Sequence, residues 1–274
     1  MQQAIYCNGE YVAAREARVP AMDAGVLFGA GLFETLLVQK GHPHLLDRHL
    51  DRLRTSGAAL GIPYALSNEE TADIIAELLT RSKLTEMEAR VKIVATPGDV
   101  AQHWTHRHDT VIIIAEPYVR PPQDIPWKLR APMGMLATPI AAHKSTSYLS
   151  YRHILHEARK EGYDDAVLLD RDGNVSECSF TSILIFDDDR LIIPDSPDAL
   201  QGITAGVMSE ICRDLGMQVE QRFVAPGELT SGAVICVCNA LLGPFPVTRI
   251  GTKDVPVFPA EGMHPLRQAW MDFT

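Results

Sequence analysis

The sequence is short of basic residues: 25 Lys and Arg stand against 35 Asp and Glu, for a formal net charge of −10. A general nucleic-acid or anionic-membrane surface needs clustered Lys and Arg, so this balance argues against both as partners. It leaves room for an anionic small molecule, because a few local cations can dominate a pocket. No apolar run approaches the ~20 residues needed to cross a bilayer, and the opening MQQAIYCNGEYV lacks the basic segment and apolar stretch of a secretory signal. Cysteine is scarce as well. The five present (Cys7, Cys178, Cys212, Cys236, Cys238) are odd in number and scattered. Cys236 and Cys238 sit one residue apart in an apolar run, a poor spacing for zinc or a redox pair. No metal site is expected; buried, reduced thiols and a cytoplasmic location fit better. Internal repeats and low-complexity segments are missing too.

What remains is an ordinary globular composition, 46% hydrophobic and 22% charged over 274 residues. That length suits two compact halves or one larger domain. Residues 89–95 (ARVKIVA) and 111–115 (VIIIA) read as buried or half-buried strands. Residues 49–60 and 68–79 have helical spacing, the second with Ile74, Ile75, Leu78 and Leu79 on one face. Ser67 and Glu70 suit a capping box at its start. The run VRPPQDIP at 119–126 carries three prolines that cannot donate to a ladder. It marks a linker between an N-terminal α/β domain (1–118) and a C-terminal domain (127–274).

The second half is more regular. Tyr151, Ile154, Leu155 and Ala158 form one apolar helical face, and Gly162 stands where a glycine would end that helix. Residues 166–169 read as a strand, followed by turn chemistry in RDGN. Residues 182–186 and 191–193 suggest a hairpin, and a helix runs from about Thr204 to Leu215 before Gly216. The fold class expected is α/β (α+β).

Three features in order carry chemistry: a lysine within HKSTSYLSYRHIL, a glutamate within VSECSF, and GIT opening a helix. With FGAGLFET and HLDRL in the first half, this order resembles the class IV aminotransferases, the fold type IV pyridoxal-phosphate enzymes. These include branched-chain and D-amino-acid aminotransferases and aminodeoxychorismate lyase. The resemblance implies a two-domain fold with a smaller N-terminal α/β domain, a barrel-like C-terminal domain, pyridoxal 5'-phosphate as cofactor and a homodimer.

By the same resemblance, Lys144 carries the cofactor as a Schiff base and shuttles protons at the substrate carbon. Glu177 faces the pyridine nitrogen and keeps it protonated. Gly202, Ile203 and Thr204 offer a helix N-terminus to the phosphate, and Arg52 clamps it through its planar fork. Tyr148 meets the phenolic oxygen, and Asn239 and Ala240 border the phosphate and substrate. Phe28, Arg90, Lys92 and Arg107 are candidates for the substrate. Taken singly, each has a plainer reading: a surface lysine, a turn glutamate, an N-cap threonine, a helix-surface ion pair, a strand-end turn. Their order favours the chemistry. The chain departs from the family pattern at Ala205 (GITA for GITR), Ala30 (FGAG for FGDG) and Ser182 in place of asparagine.

Lyase and aminotransferase share this electron sink, so the cofactor residues do not choose between them. The segment CNALLGPFPV and the chain length lean toward the lyase, which releases pyruvate and leaves p-aminobenzoate. A D-amino-acid or branched-chain aminotransferase is the alternative. A cofactor-binding protein without turnover is the second, opposed by the presence of both Lys144 and Glu177.

Overall fold

The computed structural model describes residues 3–99, 109–122, 124–132, 134, 138–258 and 260–273. They form two compact units. The first holds the chain up to Val119 together with His143–Ser147; the second holds Arg120–Ala142 and Tyr148–Phe273.

The first unit opens with β1 (Ala4–Cys7) and β2 (Glu10–Ala13), then α1 (Ala24–Phe28), β3 (Leu32–Gln39), β4 (His42–Pro43), α2 (Leu46–Leu60), α3 (Asn68–Arg81), β5 (Ala89–Thr96) and β6 (Thr110–Pro117). Its strands make one antiparallel sheet in the order β2-β1-β6-β5-β3-β4. Alternation along β3 sends Leu32, Leu36 and Val38 into the cluster that α2 and α3 cover with Leu50, Leu53, Ile75, Leu78 and Leu79. Each such side chain contributes ~1.5–3 kcal/mol when fully buried. The expected capping box is formed: Ser67 Oγ accepts from Glu70 N at 3.1 Å and Glu70 Oε2 from Ser67 N at 2.8 Å. The pattern-predicted strands are β5 and β6, and the predicted helices are α2 and α3.

The second unit contains β7 (Trp127–Arg130), α4 (Leu149–Lys160), β8 (Asp165–Leu169), β9 (Val175–Cys178), β10 (Ser182–Asp187), β11 (Arg190–Pro194), α5 (Ile203–Asp214), β12 (Gln218–Arg222), β13 (Val234–Asn239), β14 (Gly243–Ile250), β15 (Lys253–Asp254) and α6 (Ala260–Asp272). The sheet order is β12-β11-β10-β13-β14-β7-β8-β9, with β15 beside β14. The sheet curls. Val175 N, on the last strand, donates to Val224 O just beyond the first, at 2.8 Å. This is the expected barrel-like form. Val167, Val175, Ile183, Ile185, Val237, Phe245 and Val247 fill one cluster, while α5 packs across β10 to β14 and α6 packs on β14 and α5. Pro244 and Pro246 lie inside β14, where sequence suggests only a turn. They are tolerated because β7 joins this strand from Val247 onward and β13 alone pairs with them. All five cysteines are buried and free, and among the described residues no helix is long and apolar enough to cross a membrane.

Candidate active site

In the first unit, the lysine-bearing segment is built into the sheet. Phe33 N donates to Lys144 O at 2.9 Å, Thr146 N to Gly31 O at 2.8 Å, and Leu32 bridges Ser145. Thr146 Oγ1 donates to Gly29 O at 2.8 Å, and His143 Nδ1 lies 3.0 Å from Ser56 Oγ on α2. The segment is therefore held from both sides. Lys144 Nζ stands 4.7 Å from the Phe33 ring centroid, and Lys92 Nζ stands 4.5 Å from the same centroid. One aromatic ring thus gathers two ammonium groups by cation–π attraction.

Beside it lies a buried ionic group. Glu34, fully buried on β3, receives Arg52 Nε on Oε1 and Arg52 Nη2 on Oε2, both at 2.7 Å. His49 Nδ1 lies 2.7 Å from Glu34 Oε2. Burial alone would raise the Glu34 pKa, but Arg52 and His49 outweigh it and hold the carboxyl at about 2. Burial also pushes His49 below its ordinary value, with Arg52 and Lys144 adding to the effect. His49 is then neutral at pH 7, and its Nδ1 carries the proton that the Glu34 carboxylate accepts. Glu34 thereby holds the Arg52 guanidinium rigidly.

In the second unit, Glu177 lies on β9 with 8% exposure and accepts from Tyr151 Oη at 3.2 Å. Tyr148 and Tyr151 stack with centroids 4.7 Å apart, and Tyr148 Oη donates to Ser179 O at 2.9 Å. Burial, and then the Glu177 charge, push both tyrosines well above their ordinary range. Both act as neutral donors. Asn239 spans two turns: Nδ2 donates to Phe180 O at 3.3 Å, and Oδ1 accepts from Leu241 N and Leu242 N at 2.9 and 3.0 Å. Ala240 lies in the turn that Asn239 closes.

Helix α5 begins at Ile203 with no side-chain cap at Gly202. Its first N–H groups therefore have no intrahelical acceptor. Thr204, 2% exposed, keeps its hydroxyl buried with no hydrogen-bond partner. Any Cβ at Gly202 would run into the Ser182 hydroxyl, so the backbone passes this side chain closely only as glycine. Glu177, Ser182, Gly202 and Ala205 line one small cavity.

The substrate candidates fare differently. Phe28 is 60% exposed at the end of α1. Arg90 is taken up by Glu116 in a cross-strand ion pair. Lys92 shares the Phe33 ring with Lys144, and Arg107 lies outside the described residues. Two residues of these groups were missed in sequence: Glu34 and Tyr151. Glu34 sits inside the quoted FGAGLFET, and its place on the core face of an apolar strand was the available signal. Tyr151 was read only as part of the apolar face of α4.

A family model described as "Amino-transferase class IV" matches residues 31–250. The chain belongs to that family. Among known proteins, the aminodeoxychorismate lyase of Bacillus subtilis (strain 168) is 27% identical over 257 residues, covering 90% of this chain and 86% of its own. The branched-chain-amino-acid aminotransferase of Salmonella typhimurium is 26% identical over 240 residues, covering 81% and 76%. The crystal structure of the Escherichia coli branched-chain aminotransferase matches at a TM-score of 0.88 with 22% identity, covering all of this chain and 95% of that one. The last of these shows the fold.

Class IV aminotransferases work with pyridoxal 5'-phosphate, and this chain is a pyridoxal-phosphate enzyme. Its residues fit that group. The partnerless Thr204 hydroxyl and the uncapped α5 terminus suit a phosphate, and the buried Glu177 supplies an acidic partner for a ring nitrogen.

Proposed function

We propose that the enzyme is a 4-amino-4-deoxychorismate lyase, releasing pyruvate and leaving p-aminobenzoate, with Lys144 as its catalytic residue. The bound cofactor supplies an electron sink for the bond broken at the substrate. The protein's residues do the rest. The first turn of α5 and Thr204 hold the phosphate, and Gly202 and Ile203 let it approach closely. Glu177, supported by the Tyr151 hydroxyl, keeps a proton on the ring nitrogen. Tyr148, Asn239 and Ala240 border the cofactor. Lys144 Nζ removes and returns protons at the reacting carbon. Lys92, gathered onto the same ring as Lys144, receives a substrate carboxylate; Arg90 is less suited because Glu116 occupies it. A cytoplasmic homodimer is part of the same reading.

The observation that carries the lyase reading is Asn239. Its side chain closes its own turn and ties that turn to Phe180, two residues past the end of β9. The Gly-Thr or Ser-Thr segment usual in the aminotransferases lacks an amide that can bond in both directions. The similarity to the Bacillus subtilis lyase points the same way, while that to the Salmonella typhimurium enzyme favours a branched-chain aminotransferase as the second reading. The deciding experiment offers aminodeoxychorismate to the cofactor-loaded protein and follows p-aminobenzoate and pyruvate, with Lys144→Ala as control. Lysine-dependent release of both products is expected. Absence of release from protein that still carries its cofactor transfers the assignment to an aminotransferase, with branched-chain and D-amino donors tried next.

A further inference from the structure

Asp165 opens β8 and is fully buried. Its Oδ1 accepts from Ala166 N at 2.8 Å, from Ser179 N at 3.0 Å and from the Ser179 hydroxyl; its Oδ2 accepts from Thr181 Oγ1 at 2.9 Å. Three of the four donors belong to residues 179–181, the turn that joins β9 to β10. Cys178 N closes the same turn on Thr181 O at 2.8 Å. Among the described residues no Lys, Arg or His forms an ion pair with Asp165. Burial accordingly pushes its carboxyl up to about 6, and the hydrogen bonds only partly offset this.

A carboxylate so placed costs stability, and an apolar residue would fill the space without that penalty. The reason to keep it lies in what the turn carries. Glu177 precedes the turn by two residues. The Ser179 carbonyl receives the Tyr148 hydroxyl, and the Phe180 carbonyl receives the Asn239 amide. One buried acid therefore fixes the turn from which three site side chains take their bearings. Resting on the assignment of those side chains to the cofactor, we propose that Asp165 is a positioning residue. It clamps the 179–181 turn so that Glu177, Tyr148 and Asn239 are held in the geometry that binds the cofactor.

The test uses the full chain and two readouts besides turnover: affinity for pyridoxal phosphate and the visible spectrum of the bound cofactor. Asp165→Asn keeps the shape but turns one acceptor into a donor facing donors. It is expected to weaken cofactor affinity by about ten-fold and to shift the spectrum in the same direction as Glu177→Gln. Ser179→Ala and Thr181→Val each remove one hydroxyl while sparing the carboxylate, so they report even where Asp165→Asn does not fold. Each is expected to show the same shift in smaller degree. The inference falls alone when Glu177→Gln alters the spectrum while the folded Asp165 and turn variants keep wild-type affinity and spectrum, whatever their melting temperatures. When Glu177→Gln also leaves the spectrum unchanged, the cofactor assignment falls and takes this inference with it.

Discussion

Replacing Glu34 with Gln removes one charge from a buried group without altering its size, and the structure sets the expected cost. The Glu34 carboxyl lies at about 2 rather than 4.5, its ordinary value. That depression corresponds to about 3 kcal/mol of native-state stabilisation at neutral pH. Removing one partner of a buried ion pair costs a comparable ~3–5 kcal/mol, because the remaining charge keeps its desolvation penalty. Arg52 is that charge, with a side chain only 15% exposed, so solvent screening offers little relief. The pH dependence follows from the sign of the shift: a depressed carboxyl contributes fully above its unfolded value near 4.5, and loses the contribution as pH falls toward 2. Glu34→Gln protein should therefore unfold on the order of 5 °C below wild type at pH 7. The gap should shrink as both are melted at successively lower pH. Calorimetry of apo protein, with hydrogen exchange on β3 and α2 to localise the loss, makes the measurement. A variant melting within 1 °C of wild type at pH 7 would refute the claim that this triad is a strong, charge-paired unit.

The partnerless Thr204 hydroxyl predicts a crossover. Thr204→Val should stabilise apo protein by up to ~1 kcal/mol in chemical denaturation and weaken pyridoxal-phosphate binding by about ten-fold in an absorbance titration. Gly243 adopts φ 65°, and any Cβ there would meet the Trp270 ring. Gly243→Ala should cost ~1–3 kcal/mol by both strain and overpacking, read as a lower unfolding midpoint.

Much of the second unit was legible because its signals are local. The apolar stripe of α4, the β10–β11 hairpin and the glycines ending α4 and α5 all act within a few residues, and Gly162 and Gly216 do adopt positive φ. The capping box of α3 is equally local. Other parts were within reach but unread: Asn8-Gly9 is a strong hairpin dipeptide, and it joins β1 to β2 with both residues at positive φ. The rest depended on long-range pairing. Arg52 was selected by its motif, yet the partner that fixes it is Glu34, eighteen positions earlier on another element. Asp165 sits in a DD pair before a strand and looks like a solvated turn. Only the arrival of Ser179 and Thr181 makes it a buried clamp. Lys92 and Arg90 are alike in sequence, and the sheet register separates them by giving Arg90 to Glu116.

The return of His143–Ser147 to the first unit matters during synthesis. The ribosome delivers the chain from its N-terminus, so β1 to β6 emerge well before the segment that lines the start of β3. Until Ser147 has cleared the exit tunnel, Gly31 and Phe33 present backbone groups to solvent at an open strand edge, the kind of edge that pairs with stray chains. A fragment ending near Val119 would carry that bare edge permanently. Lys144, proposed above as the catalytic residue, thus belongs to the piece that seals the first unit.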